Sequence, residues 1–183
     1  MHRDVRKHID DLSSTDDAIR LNALQTLLKL TETPVDWVYE VWEILLEKLD
    51  SENSYQRSIG IMLLCNLAKS DMEGRMKSAL DRLLLYTRDE KFITSRQCLQ
   101  NIWKIAAANK SNRAKVLKHL EERFLECENE KHYNLLRQDI VQSILALQKQ
   151  EKEDALLTEA KTLITAETNL KYRKQYEALI RAA

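Results

Sequence analysis

Five arginines recur at near-even intervals: Arg20, Arg57, Arg96, Arg137 and Arg173, separated by 37, 39, 41 and 36 residues. A guanidinium is always charged and presents a planar fork of donors, so a regular row of them is chemistry for oxyanions. Other reactive residue types are sparser. His2, His8, His119 and His132 form no i, i+4 pair, the spacing that sets two metal ligands on one helix face. Cys127 and His132 lie five apart with no second pair to complete a metal site. Cys65, Cys98 and Cys127 are an odd, widely spaced set. Such cysteines argue against a disulfide framework and behave as small core residues. Gly60 and Gly74 are the only glycines, so no phosphate-cradling loop exists. The chain is therefore expected to be non-enzymatic, with no catalytic residue, cofactor or metal.

The elements that carry these residues are repeats. Three residues beyond each arginine stand Ala23, Gly60, Leu99, Ile140 and Tyr176. Seven beyond stand Leu27, Leu64, Trp103, Ile144 and Ile180, and ten beyond stand Leu30, Leu67, Ala106, Leu147 and Ala183. Those offsets share one face of an α-helix. Five helices of one design at a near-constant period predict a helical repeat array. With two glycines and one proline, little in the chain breaks helices, and no alternating run predicts a strand. The 183 residues are read as a single domain, 1–183. Charges balance at 29 basic and 29 acidic, so nothing global draws the chain to nucleic acid or an acidic membrane. No apolar run approaches the roughly 20 residues of a membrane span. The stretch MHRDVRKHID is charged without an apolar core after it, so a secretory signal is not expected. A reducing, cytoplasmic setting is.

Taken in order, a short helix is predicted at 3–12, and SerSerThrAspAsp at 13–17 starts the next. Thr33 is expected to cap a helix opening at Pro34, and Ser70 with Glu73 to form a capping box. Arginine-bearing helices are predicted to about 31 and over about 54–69, 92–108, 132–149 and 168–182. A leading helix precedes each. One such hairpin cannot bury both its apolar faces, so neighbours must stack. Gly60, in the column where the first repeat has Ala23, predicts close approach of a neighbouring helix.

The stretch IRLNALQTL at 19–27 places apolar, arginine, small and leucine residues in order, and its copy QRSIGIMLL at 56–64 keeps the arginine, a small residue and the leucines. In this the chain resembles the HEAT-repeat family of HEAT-like and armadillo-type α-solenoids. An acidic residue six or seven before the arginine recurs as Asp50, Asp89, Glu130 and Glu167. The resemblance implies an all-α fold, a right-handed α-α superhelix of about five helical hairpins. It also implies that the arginines and these acids form a hydrogen-bonded ladder between repeats, and that the second helices line a concave face. The polar residues of those helices are then the binding candidates: Gln25, Lys29, Asn66, Lys69, Gln97, Gln100, Asn101, Lys104, Gln138, Gln142 and Lys174. By contrast the leading helix at 35–50 is acidic, with Lys48 its one base.

Such a face suits a protein or peptide ligand, which makes a scaffold the expected function, with no membrane role. The alternative is nucleic-acid binding, or a diverged enzyme similar to the HEAT-like alkylbase DNA glycosylases, which use aromatic residues and an aspartate in a basic cleft. Trp37 and Trp42 lie five apart, about 140° around a helix, and cannot form one stacking platform. Trp103 falls in a core column and is expected to pack.

Overall fold

The structure of the chain is a computed structural model that describes residues 3–182. Ala183 of the last apolar column, and His2, lie outside the described residues. The described residues form eleven α-helices: α1 Arg3–Asp11, α2 Asp17–Leu30, α3 Val38–Leu49, α4 Ser54–Leu67, α5 Met76–Leu85, α6 Phe92–Asn101, α7 Trp103–Ala108, α8 Lys110–Glu126, α9 Tyr133–Glu151, α10 Asp154–Ala166 and α11 Leu170–Ala182. Short 3-10 turns follow α4, α5 and α8. No strand occurs among the described residues, so the fold is all-α. None of the described helices is long and apolar enough to cross a membrane.

The chain divides into two compact units, Met1–Cys98 and Leu99–Ala183. In the first, α1 packs on α2, α3 on α4, and α2 on α4. In the second, α7 and α9 both contact α8, and α10 and α11 contact each other. There α7 also packs on α9, α9 on α11, and α8 on α10, so alternate helices lie side by side. Side-chain hydrogen bonds between elements repeat that spacing. Examples are Asn66 to the Leu28 carbonyl, 38 residues back, Tyr86 to that of Leu49, 37 back, and Tyr176 to that of Asn134, 42 back.

The apolar columns are the core. Ala23, Gly60, Leu99, Ile140 and Tyr176 are all buried. So are Leu27, Leu64 and Ile144, and then Leu67, Ala106 and Leu147. Leu30 departs from the pattern and is 42% exposed at the end of α2, and Ile180 near the end of α11 is only half-buried. Trp103 also departs, being only half-buried. The reason is a break in the expected helix at Ile102, which separates α6 from α7. The Trp103 indole N–H donates to the Gln100 carbonyl at 3.1 Å, and the Ser143 hydroxyl donates to that of Leu99. Side chains thus take carbonyls that the next helical turn would use, and the ladder is interrupted. Trp37 and Trp42 are both core residues.

Two helix starts differ from expectation. α3 begins at Val38 rather than Pro34, because the Val35 amide donates to the Ser70 hydroxyl at 3.0 Å and the chain there stays outside the helix. α5 begins at Met76, where the Asp71 carboxylate accepts from the amides of Arg75 and Met76 at 3.0 and 2.7 Å. Asp71 therefore does the capping that Ser70 and Glu73 were expected to do. α2 starts as its sequence suggests, with Asp16 accepting from the amides of Ala18 and Ile19.

Candidate functional site

The arginine row is built into the framework. Arg57 donates from Nη1 to the carbonyls of Ser51 and Glu52, both at 2.9 Å. Its Nε and Nη2 grip both oxygens of Asp89 at 2.7 and 2.8 Å. Asp89 also accepts from the Lys91 amide at 2.8 Å. Burial works to raise the Asp89 carboxyl, but Arg57 and that amide outweigh it and hold the group below its usual value. Arg137 repeats the device. Its Nε donates to the Phe124 carbonyl at 2.9 Å and its Nη1 to Glu167 at 2.8 Å, and it lies over the rings of Phe124 and Tyr133. Glu167 in turn accepts from the Asn169 amide, and its carbonyl receives Nε of Arg173. Charge-assisted pairs of this kind fix the position of neighbours.

The other two acids of the expected ladder go elsewhere. Glu130 takes both Nη1 and Nη2 of Arg123, on α8, and Asp50 takes Arg82, on α5. Arg96 lies over the Phe92 ring. Arg20 is held by the Ser14 carbonyl and by Asp17, a residue of its own helix.

The polar residues of the second helices separate into two groups. One is structural. Asn66 is buried and its amide donates to the Leu28 carbonyl and to Thr31 Oγ1 at 3.2 and 3.1 Å. Gln100 donates to the buried Asp139 at 2.8 Å. The other group faces outward. Gln25, Lys29, Lys69, Gln142 and Lys174 are exposed, and Gln97, Asn101, Lys104 and Gln138 are half-buried. The Lys104 ammonium donates to Asn101 Oδ1 at 2.6 Å, and that of Lys69 to the Glu32 carbonyl at 2.9 Å.

Helical phase explains the second group. Gln97, Gln138 and Lys174 stand one residue beyond their arginines, and Gln25, Asn101 and Gln142 stand five beyond. At about 100° per residue these positions lie roughly 180° from the buried columns. The result is an outward stripe of amides and lysines along the second helices of each unit.

A third feature was not anticipated. A cleft of about 600 Å3 opens in the first unit, among the start of α2, the end of α3 and the start of α4. Arg20 and Lys48 bring cations to it, and Glu47 a carboxylate. Lys48 is 8% exposed, and its ammonium donates to Ser13 Oγ at 3.0 Å and Gln56 Oε1 at 2.5 Å, neither of them charged. Burial pulls its pKa below the usual lysine value. A signal for Lys48 was present: it sits three beyond Leu45 and seven beyond Val41, on the buried stripe of α3.

No protein-family model matches the sequence, and no curated protein does. The fold does have a solved counterpart. The crystal structure of an engineered protein, a structural genomics target, is similar over 98% of this chain and 96% of its own, with a TM-score of 0.52 and 13% identity. At that identity the likeness concerns the fold alone.

Among the described residues no three His, Cys, Asp or Glu side chains gather where they could share a metal ion. The three cysteines are buried and unbonded to one another, and burial pushes the Cys98 and Cys127 thiols up.

Proposed function

We propose that the chain is a non-catalytic binding scaffold, a HEAT-like α-solenoid of five helical hairpins that takes a protein or peptide along its second helices. The hairpins pair α1 with α2, α3 with α4, α8 with α9, and α10 with α11, and residues 76–108 supply the remaining one by their place in the sequence. Hydrogen bonds that recur one repeat apart, and arginines that tie one hairpin to the next acid, support this architecture. One domain running the length of the chain, in a cytoplasmic setting, is part of the same reading.

The observation that carries the function is the outward stripe. Gln25, Asn101 and Gln142 occupy one position of the repeat, and Gln97, Gln138 and Lys174 another a helical turn away. Residues four apart on a helix are neighbours, so α6 and α9 each offer a short polar ledge to a ligand, while α2 and α11 offer Gln25 and Lys174 singly. Carboxamides both donate and accept, which suits a peptide backbone as well as acidic side chains.

The test compares two variants. One carries Gln25→Glu, Lys69→Glu, Gln142→Glu and Lys174→Glu on the second helices. The other carries Glu40→Lys, Lys77→Glu, Lys118→Glu and Lys161→Glu on the leading helices. A protein captured quantitatively by the parent and the second variant, and lost by the first, supports the reading. Equal capture by all three refutes it. A parallel titration with single- and double-stranded DNA at about 50 mM and about 200 mM salt decides against a nucleic-acid ligand if binding is weak at both. Strong, salt-sensitive binding replaces the peptide reading with that one.

A further inference from the structure

We infer that the cleft between α2, α3 and α4 binds a phosphate group, with Arg20 and Lys48 as its cations. The cleft is independent of the outward stripe, and its assignment stands or falls separately. The first observation is a missing partner. Arg57 holds Asp89 and Arg137 holds Glu167, each the acid at the head of the next arginine helix. The corresponding acid for Arg20 is Asp50, seven before Arg57, and Asp50 turns out to Arg82 with its side chain 73% exposed. Arg20 has the Ser14 carbonyl and the Tyr55 ring beside it, and its one carboxylate is Asp17, whose side chain is 90% exposed, so solvent screens that pair heavily. Its Nε is buried without a hydrogen-bond partner.

The second observation is a surplus of donors. Ser13 Oγ accepts from Lys48, Ser14 Oγ from the Asp16 amide, and Ser51 Oγ from the Asn53 amide. A hydroxyl that accepts still has its own proton to give. Lys48 has used two of its three N–H groups, both on neutral oxygens. Three hydroxyls and one ammonium proton therefore remain to donate on this cleft. A carboxylate has two oxygens to serve all of them, whereas a phosphate group brings three strong acceptor oxygens and a larger negative charge. Against them the lining offers one carboxylate, Glu47. Lys48 has only neutral partners and Arg20 only the solvent-exposed Asp17, so a bound anion would relieve the burial of the Lys48 charge.

The experiment is an amide NMR titration of the full chain with inorganic phosphate, sodium glycerol 3-phosphate or sodium acetate, at constant ionic strength. Saturable shifts centred on Ser13–Thr15 and Ser51–Asn53 are expected with phosphate and absent with acetate. Tighter binding of glycerol 3-phosphate identifies a phosphomonoester as the ligand, and equal binding identifies free phosphate. Lys48→Met keeps the fold, since it removes a buried charge, and weakens binding by about tenfold or more. Ser13→Ala, a smaller change, weakens it less. Equal responses to acetate and phosphate, no saturation, or undiminished binding by Lys48→Met would each overturn the assignment.

Discussion

Replacing Gly60 by alanine tests the packing of the repeat at one atom. A Cβ at this position would stand 2.9 Å from the Leu45 carbonyl oxygen, 3.1 Å from Leu49 Cδ2 and 3.2 Å from Lys48 Cβ. The nearest of these is backbone of α3, which moves only if the helix moves. Alanine is favoured over glycine inside a helix by about 1 kcal/mol. Forcing an extra carbon into a packed contact costs about 1–3 kcal/mol. A backbone obstacle puts the cost in the upper part of that range, so a net loss of about 1–2 kcal/mol is expected. For a chain of this size each kcal/mol moves Tm by about 2–4 °C, so a fall of about 2–8 °C follows. Differential scanning calorimetry at neutral pH reads it, and Gly60→Leu should fall further. Gly74→Ala is the contrast, since nothing lies within 4 Å of its Cβ and only its φ of +76° resists substitution. Gly74→Asn should therefore recover part of that loss, because asparagine tolerates the left-handed region. Gly60→Asn should recover nothing. A Tm for Gly60→Ala equal to the parent's, or higher, refutes the close contact.

The remaining expectations concern charge. Arg137→Ala strands Glu167, whose side chain is fully buried, and should cost about 3–5 kcal/mol by chemical denaturation. The double change Arg137→Met with Glu167→Leu should recover most of it; no recovery would place the loss in packing alone. Asp89 is depressed in the folded state, so its pairing stabilises the protein above the unfolded carboxylate value and ceases to as pH falls through the folded one. Asp89→Asn should accordingly differ from the parent at pH 7, the gap should begin to narrow only below about pH 4 and close below the depressed folded value, and a gap already closed at about pH 5 contradicts the linkage. Glu159 is raised by burial and then by Glu121, so its charge opposes folding at neutral pH. Glu159→Gln should raise stability at pH 7 by no more than about 1 kcal/mol, with the gain gone below about pH 4.5. A loss at pH 7 would show that the carboxylate has a favourable partner.

Much of the helical content was legible because it rests on local rules. Scarce glycine and proline, apolar positions three, seven and ten beyond each arginine, and caps such as Asp16 need only a helix and one buried face. The outward stripe was legible for the same reason, since the phase that buries Ala23 and Leu27 must expose Gln25. Where a local signal met a competing partner from another helix, the sequence misled. Asn66 looks like any surface amide until α2 offers it two oxygens, and Trp103 fits a core column until its own indole takes the Gln100 carbonyl. The cleft lies further from the sequence still. Ser14 and Ser51 both stand six before their arginines, but nothing in that spacing joins them to Arg20 and Lys48, and Asp50 could have served Arg20 as well as Arg82. Composition and spacing determined which residues form helices and which sides of them are buried. Only tertiary packing decided which donor meets which acceptor, because that choice depends on distances between helices that no local pattern encodes.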